Sequence, residues 1–236
     1  MTGTSTTPGR TFGCFLTAAL ILLLAGCGSN SPNTQSGGKR LPDTFTFFDV
    51  NANSVNGDAL RSTLRGHLGR EAVAGKDILD LAVFPKVSLS GVLPTLAAIN
   101  GQLNPDPRAR KEHAISSLSY RYPQTHYPTF TFVRLVFSAN NHHPLMITID
   151  ANSDAGSILE TLTAKYGPPR VVDFQDQEAR LWFWERNGDH LVVHKHRNKF
   201  GRPAYLIAIF YVTRIEGLLA AEKAAGSTTA GAKTAF

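Results

Sequence analysis

Asn187-Gly188 lies between two runs, Arg180 to Arg186 and His190 to Arg197, that are rich in aromatic, leucine and valine side chains. Asn-Gly suits a two-residue turn whose central residues both take positive φ, the type I′ geometry that matches the twist of paired strands. The two runs therefore fold back on one another, which commits the chain to an antiparallel sheet. The same reading extends outward. Thr129 to Phe137 and Pro144 to Ile149 flank Asn140-Asn141-His142-His143 as a second hairpin. Ala204 to Val212 supplies a further strand, and Thr44-Phe45-Thr46-Phe47 alternates with the period of two that a strand requires. Strands adjacent in sequence and joined by short turns imply an α+β fold, a mainly antiparallel sheet of about five to six strands with its helices grouped.

The helices announce themselves by spacing. Leu60, Leu64 and Leu68 recur at helical intervals before Gly69, and Ile158, Leu159, Leu162 and Tyr166 do so between Ser153, a candidate N-cap, and the stop Gly167-Pro168-Pro169. Ser90 to Leu103 reads as a helix with Pro94 in its first turn, and Arg214 to Glu222 closes the body. Ala109 to Tyr122 reads as another, with Ile115, Leu118 and Tyr122 on one stripe. Leu64-x-x-x-Leu68-Gly69 and Leu162-x-x-x-Tyr166-Gly167 are alike, a shared way of ending a helix that also allows a duplication. With 42% apolar residues in 236, residues 44–221 suffice for one folded domain.

Upstream of that body the sequence gives an address. The apolar run from Phe15 to Leu24 is shorter than the ~20 residues a helix needs to cross a bilayer, and it suits the core of an export signal. It ends in Leu24-Ala25-Gly26-Cys27, which resembles the lipobox of bacterial lipoproteins. The resemblance implies that residues 1–26 are a cleaved signal peptide and that the Cys27 thiol carries diacylglycerol. Its acyl chains would then hold the protein on a membrane. Gly28 stands where many inner-membrane lipoproteins carry aspartate, so in a cell with two membranes the resemblance favours the outer one, facing the periplasm. Residues 28–43 are small, polar and glycine-rich and read as a flexible tether following the lipidated cysteine; residues 222–236, rich in alanine, glycine and threonine, read as a flexible tail. Cys14, the other cysteine, leaves with the signal. The mature chain then has no thiol for a disulfide, a metal or a nucleophile, and no cofactor is expected.

The remaining chemistry concentrates in the C-terminal half. Loss of Arg10 with the signal lowers the net charge from +6 to +5, and six basic residues between Arg180 and Arg202 face only Glu185 and Asp189. Lys195, Arg197, Lys199 and Arg202 form the candidate basic patch, compatible with anionic lipid or an acidic envelope protein; export argues against nucleic acid. His190, His194 and His196 share one face of a strand, where His194 and His196 could share zinc as a His-x-His pair. Lys195 and Arg197 disfavour a divalent cation, and the stretch reads first as a basic, solvent-facing strand with no metal. Tyr120, Tyr122, Tyr127 and Phe130 read first as a cover for the edge of the sheet and alternatively as an aromatic groove for a glycan or peptide, while Trp182 and Trp184 read as core. Asp173, Asp176 and Glu178 read as a solvated acidic loop. Nucleophile-elbow, zincin, P-loop and dinucleotide motifs are missing from the sequence. The expected function is a non-enzymatic binding or assembly-support module on the cell envelope; the alternative is an exported metal-dependent hydrolase using His194 and His196.

Overall fold

In the computed structural model of the protein, seven strands form one fully antiparallel sheet between two layers of helix. The structure describes residues 41–70, 78–106, 108–109, 111–122, 130–152, 156–174 and 179–233, the last eight by backbone alone. The elements run α1 (Asp58–Leu68), α2 (Leu89–Val92), α3 (Pro94–Leu103), β1 (Ile115–Arg121), β2 (Phe130–Ser138), β3 (Pro144–Asn152), α4 (Gly156–Tyr166), β4 (Arg170–Asp173), β5 (Arg180–Arg186), β6 (Asp189–Arg197), β7 (Pro203–Phe210) and α5 (Val212–Lys233). Strand order is β1-β2-β3-β7-β6-β5-β4, so two meanders meet at the central pair β3 and β7.

Register follows the turns. Asn187 (φ 50°) and Gly188 (φ 83°) adopt the expected left-handed pair, and Arg186 opposes Asp189 across them. Because side chains alternate across a strand, this register sorts the apolar residues onto two faces. Met146, Val192, Ala208 and Phe210 point to one face, where α3 brings Leu96, Ile99 and Leu103 and α5 brings Ile215, Leu218 and Leu219. Ile147, Leu191, Ile207 and Ile209 point to the other, where Leu64 and Leu68 of α1, Tyr166 of α4 and the turn Phe45–Val50 cover them. The central strands are covered on both sides, which is why Leu145 to Ile149 and Leu206 to Tyr211 are almost unbroken in apolar character. Each such side chain contributes roughly 1.5–3 kcal/mol by leaving water. Residues Arg40–Phe236 form one compact unit.

Several expectations are corrected. The sheet has seven strands rather than five to six. Residues 115–121 are strand β1 and not part of a helix: Leu118 and Tyr120 enter one core while Ser117 and Ser119 point to the other face, an alternation that outweighs the helical stripe. β4, only four residues long, is the second unforeseen strand. Thr44 to Phe47 joins no strand; Phe47 bridges only to Val50 around the turn Phe48-Asp49. Pro94 is the first residue of α3 instead of lying within one longer helix, because a residue preceding proline is pushed out of the helical region, and Leu93 sits at φ −132°, ψ 70°. The helix α5 runs from Val212 to Lys233, longer than the Arg214 to Glu222 expected of it. Burial pushes the Glu222 carboxyl up, but bonds from the Ala114 N–H, His113 Nδ1 and Lys111 Nζ, each near 3.1 Å, outweigh this and hold it below the usual carboxylate range. Both α1 and α4 are 11 residues long and end at a glycine with positive φ, Gly69 and Gly167. Trp184 is core, its Nε1 donating to the Gly167 carbonyl at 2.7 Å, whereas Trp182 is half-buried beneath Arg180.

Candidate functional site

The basic patch sits at the end of the sheet where β6 turns into β7. Asn198 builds that turn: its Oδ1 accepts the N–H groups of Phe200 (2.9 Å) and Arg202 (3.1 Å), and its carbonyl accepts the Gly201 N–H (2.9 Å). Gly201 takes φ 74°, a conformation that a side chain would strain, and the Arg197 guanidinium donates to its carbonyl. The backbone of the loop is thus tied down while its side chains project. Arg197, Lys199 and Arg202 are exposed, Lys195 is half-buried, and Phe200 at the apex is 74% exposed with Lys199 Nζ 5.0 Å from its ring centre. Phe200 was not singled out in the sequence; the available signal was a large aromatic in the loop Asn198-Lys199-Phe200-Gly201.

The other basic residues of this region are engaged elsewhere. Arg180 is ion-paired with Asp173, and Arg186, at the opposite end of the sheet, donates to the Tyr166 carbonyl at 2.7 Å. Asp176 and Glu178 lie outside the described residues. At the tip, Lys199 and Arg202 are exposed beside Arg197, whose guanidinium is bonded within the loop. Beneath it runs an open cleft of about 1120 Å³, crossing the ends of β2, β3, β6 and β7 and lined by Thr131, Asp150, Asn152, His196, Arg202 and Tyr205 among others. Burial raises the carboxyl pKa of Asp150, and the neighbouring His196 opposes that shift.

His190, His194 and His196 do share one face of β6, as the alternation requires. The His194 and His196 rings stack with centres 5.3 Å apart. His190 lies four residues, ~13 Å, from His194 along the strand. His194 is 1% exposed, held edge-on by Phe84 and Phe174, and neither of its ring nitrogens has a hydrogen-bond partner. It borders a small cavity of about 150 Å³ that His196, Phe174 and Pro85 also line. Burial and the adjacent His196 push its imidazole down to about 4, so the ring is neutral at pH 7. The pair supplies two nitrogen ligands of the three protein ligands that catalytic zinc takes. Among the described residues, no three His, Cys, Asp or Glu side chains come together.

The described aromatic candidates, Tyr120, Tyr122 and Phe130, meet at one core cluster. Tyr120, carried on β1, is 2% exposed and belongs to the core, because strand alternation turns it inward. Tyr122 packs on the edge of the same cluster, Phe130 packs against Phe47 with ring centres 6.2 Å apart, and Tyr127 lies outside the described residues. Cys27 also lies outside them. Compared with protein-family models, with curated proteins and with solved structures, the chain matches none.

Proposed function

We propose that the protein is a non-enzymatic, lipid-anchored component of the bacterial cell envelope that docks the β6–β7 tip against anionic lipid. Anchoring rests on Leu24-Ala25-Gly26-Cys27 after the apolar run, with residence on the outer membrane, facing the periplasm, where two membranes exist. Among the described residues no helix is long and apolar enough to cross a membrane. The observation that carries the docking reading is Phe200, 74% exposed on a hydrogen-bonded loop with Arg197, Lys199 and Arg202 beside it in sequence. Basic residues near an anionic surface contribute ~1 kcal/mol each, and an aromatic ring at their centre suits the headgroup layer. An acidic protein face would also meet the charges, but it would leave the ring less well accommodated.

Two measurements test this. Cys27→Ser should abolish acyl labelling and normal signal cleavage; an unmodified Cys27 in the membrane fraction would refute the anchor. For docking, the non-lipidated chain beginning at Gly28 contains the whole compact unit and removes acyl insertion from the readout. Its binding to phosphatidylglycerol vesicles should fall several-fold when Lys195, Arg197, Lys199 and Arg202 become glutamine, and again with Phe200→Ala, at unchanged melting temperature. Added salt should weaken it as the Debye length shrinks below ~10 Å. Equal binding by wild type and variants, or none at low salt, removes the lipid reading. The hydrolase alternative built on His194 and His196 is separated by metal content, about one zinc per chain being its requirement.

A further inference from the structure

We propose that a second site, beneath α4 on the face opposite the histidine pair, binds a straight acyl chain bearing one negative charge. A cavity of about 290 Å³ opens there, close to the lower end of the ~300–1,000 Å³ typical of ligand pockets. Its floor is the sheet, through Ile149, Leu191 and Ile207, and its walls are Phe47, Phe130 and Leu162. Thr46, Ser157, Thr161, Lys165 and Tyr166 bring polar groups to its border, while the floor and walls offer an apolar surface that suits hydrocarbon.

The wall is held at a conformational cost. Phe48 (φ 42°) and Asp49 (φ 64°) are both left-handed without being glycine, which is unfavourable for a bulky side chain. Two backbone bonds between Phe47 and Val50 (3.0 and 2.9 Å) and the Tyr211 hydroxyl, which donates to the Phe45 carbonyl at 3.2 Å, keep the turn in place. The result sets Phe47 against Phe48 and Phe130 and stacks Phe48 on His67. Strain that shapes the border of a pocket points to the pocket having a use.

Charge then selects the occupant. Lys165 is the single charged residue among those described as lining the cavity. Its Nζ donates to Thr46 Oγ1 at 2.6 Å, and Thr46 in turn bonds the Tyr166 hydroxyl through its N–H at 3.0 Å, so the rim carries one cation fixed within a small polar cluster. No carboxylate pairs with Lys165 among the described contacts. An apolar pit below one ammonium group fits the tail and head of a fatty carboxylate. The occupant is then a free fatty acid, since the ester- and amide-linked acyl chains of a lipidated cysteine carry no charge for Lys165.

The test uses the chain beginning at Gly28, dodecanoate, dodecanol and a dansyl-labelled fatty acid as the fluorescent probe. Dodecanoate should displace the probe in a saturable manner. Leu162→Trp, which fills the cavity, should weaken binding at least ~10-fold; Ile158→Trp, one turn earlier, serves instead if the first variant melts lower. Lys165→Gln should weaken dodecanoate by up to about 5-fold, the upper end for an exposed ion pair, and leave dodecanol unchanged. Lipidated and non-lipidated protein should take up the probe equally; lipidated protein that excludes it until delipidated shows an uncharged acyl chain in the site and overturns the charge selection. Absence of saturable binding, or full affinity in folded Leu162→Trp and Ile158→Trp, overturns the site. An equal effect of Lys165→Gln on acid and alcohol overturns its charge selection. Phe200→Ala should bind dodecanoate as wild type does, so this site and tip docking stand or fall separately.

Discussion

Replacing His194 by leucine tests the reading of the histidine pair with a number attached. The ring is 1% exposed, both nitrogens are unpartnered, and its pKa is pushed down to about 4 from an unfolded value of 6.5. A folded-state pKa below the unfolded one means that the unfolded chain binds the extra proton. The stability due to this residue is therefore present above pH 6.5 and lost as pH falls toward 4. That difference corresponds to ~3 kcal/mol in full and ~2 kcal/mol at pH 5. His190, also pushed down by burial, acts in the same direction, while Asp189, pushed up to about 6, acts against both. Comparing variant with wild type across pH cancels those contributions to first order. Leucine fills similar space and removes two unmade hydrogen bonds, each costing ~1–3 kcal/mol when buried. His194→Leu should thus match or exceed wild type at pH 7.5 and gain ~2 kcal/mol on it at pH 5. Thermal melts would read the gain as ~4–8 °C. Parallel pH curves for the two proteins, or a loss above ~1 kcal/mol at pH 7.5, would show that the imidazole has partners and refute the argument. A zinc-dependent rise in melting temperature confined to wild type would assign the pair to a metal.

Two further expectations concern the ends of α5. Asp189 is 8% exposed and accepts the Val212 N–H at 2.9 Å at the start of that helix; burial raises its pKa to about 6, against the pull of that bond and of Arg214. The stability it confers is present below pH ~4 and fades as pH rises through about 6, so Asp189→Asn, which keeps the acceptor, should be up to ~2 kcal/mol more stable than wild type in denaturant melts at pH 8. Asp189→Ala, which orphans the Val212 N–H, should be less stable than the asparagine form by ~1 kcal/mol; the reverse order would refute the assignment. Deleting residues 226–236 should leave the melting temperature within ~2 °C, whereas a deletion beginning at Glu222 should cost ~2–4 kcal/mol through the bonds to Lys111, His113 and Ala114.

The sheet was legible where local chemistry and tertiary context agree. Asn187-Gly188 fixed β5 and β6 almost to the residue, because the turn demands φ values that few other pairs adopt. β1 was misread because its polar alternate residues, Ser117 and Ser119, are buried too, leaving Leu118 and Tyr122 to mimic a helical stripe. β4 has four residues and little apolar pattern to detect. The basic tip was legible as charge, but Phe200 became informative only through its exposure. The acyl site was not legible at all: Thr46 and Lys165 meet across 119 positions of sequence, and the strained Phe48-Asp49 turn that borders it directly follows Thr44-Phe45-Thr46-Phe47, whose alternation reads as a strand.

Asp43 accepts a bond from Asn187 Nδ2 at 2.8 Å, which places the start of the described chain beside the β5–β6 turn. The basic tip lies at the far end of β6, nine residues or ~27 Å away. On the lipoprotein reading, attachment and contact therefore occupy opposite poles of the body. Thirteen residues separate Cys27 from Leu41, and such a stretch reaches at most ~45 Å when fully drawn out. On that reading the body can lay its tip on the membrane that holds it only by inverting, which takes up ~27 Å of the ~45 Å reach; standing upright, it presents Phe200 and its cations to whatever lies across the gap. Tether length thereby becomes a ruler, deciding whether the protein grips its own surface or bridges to another.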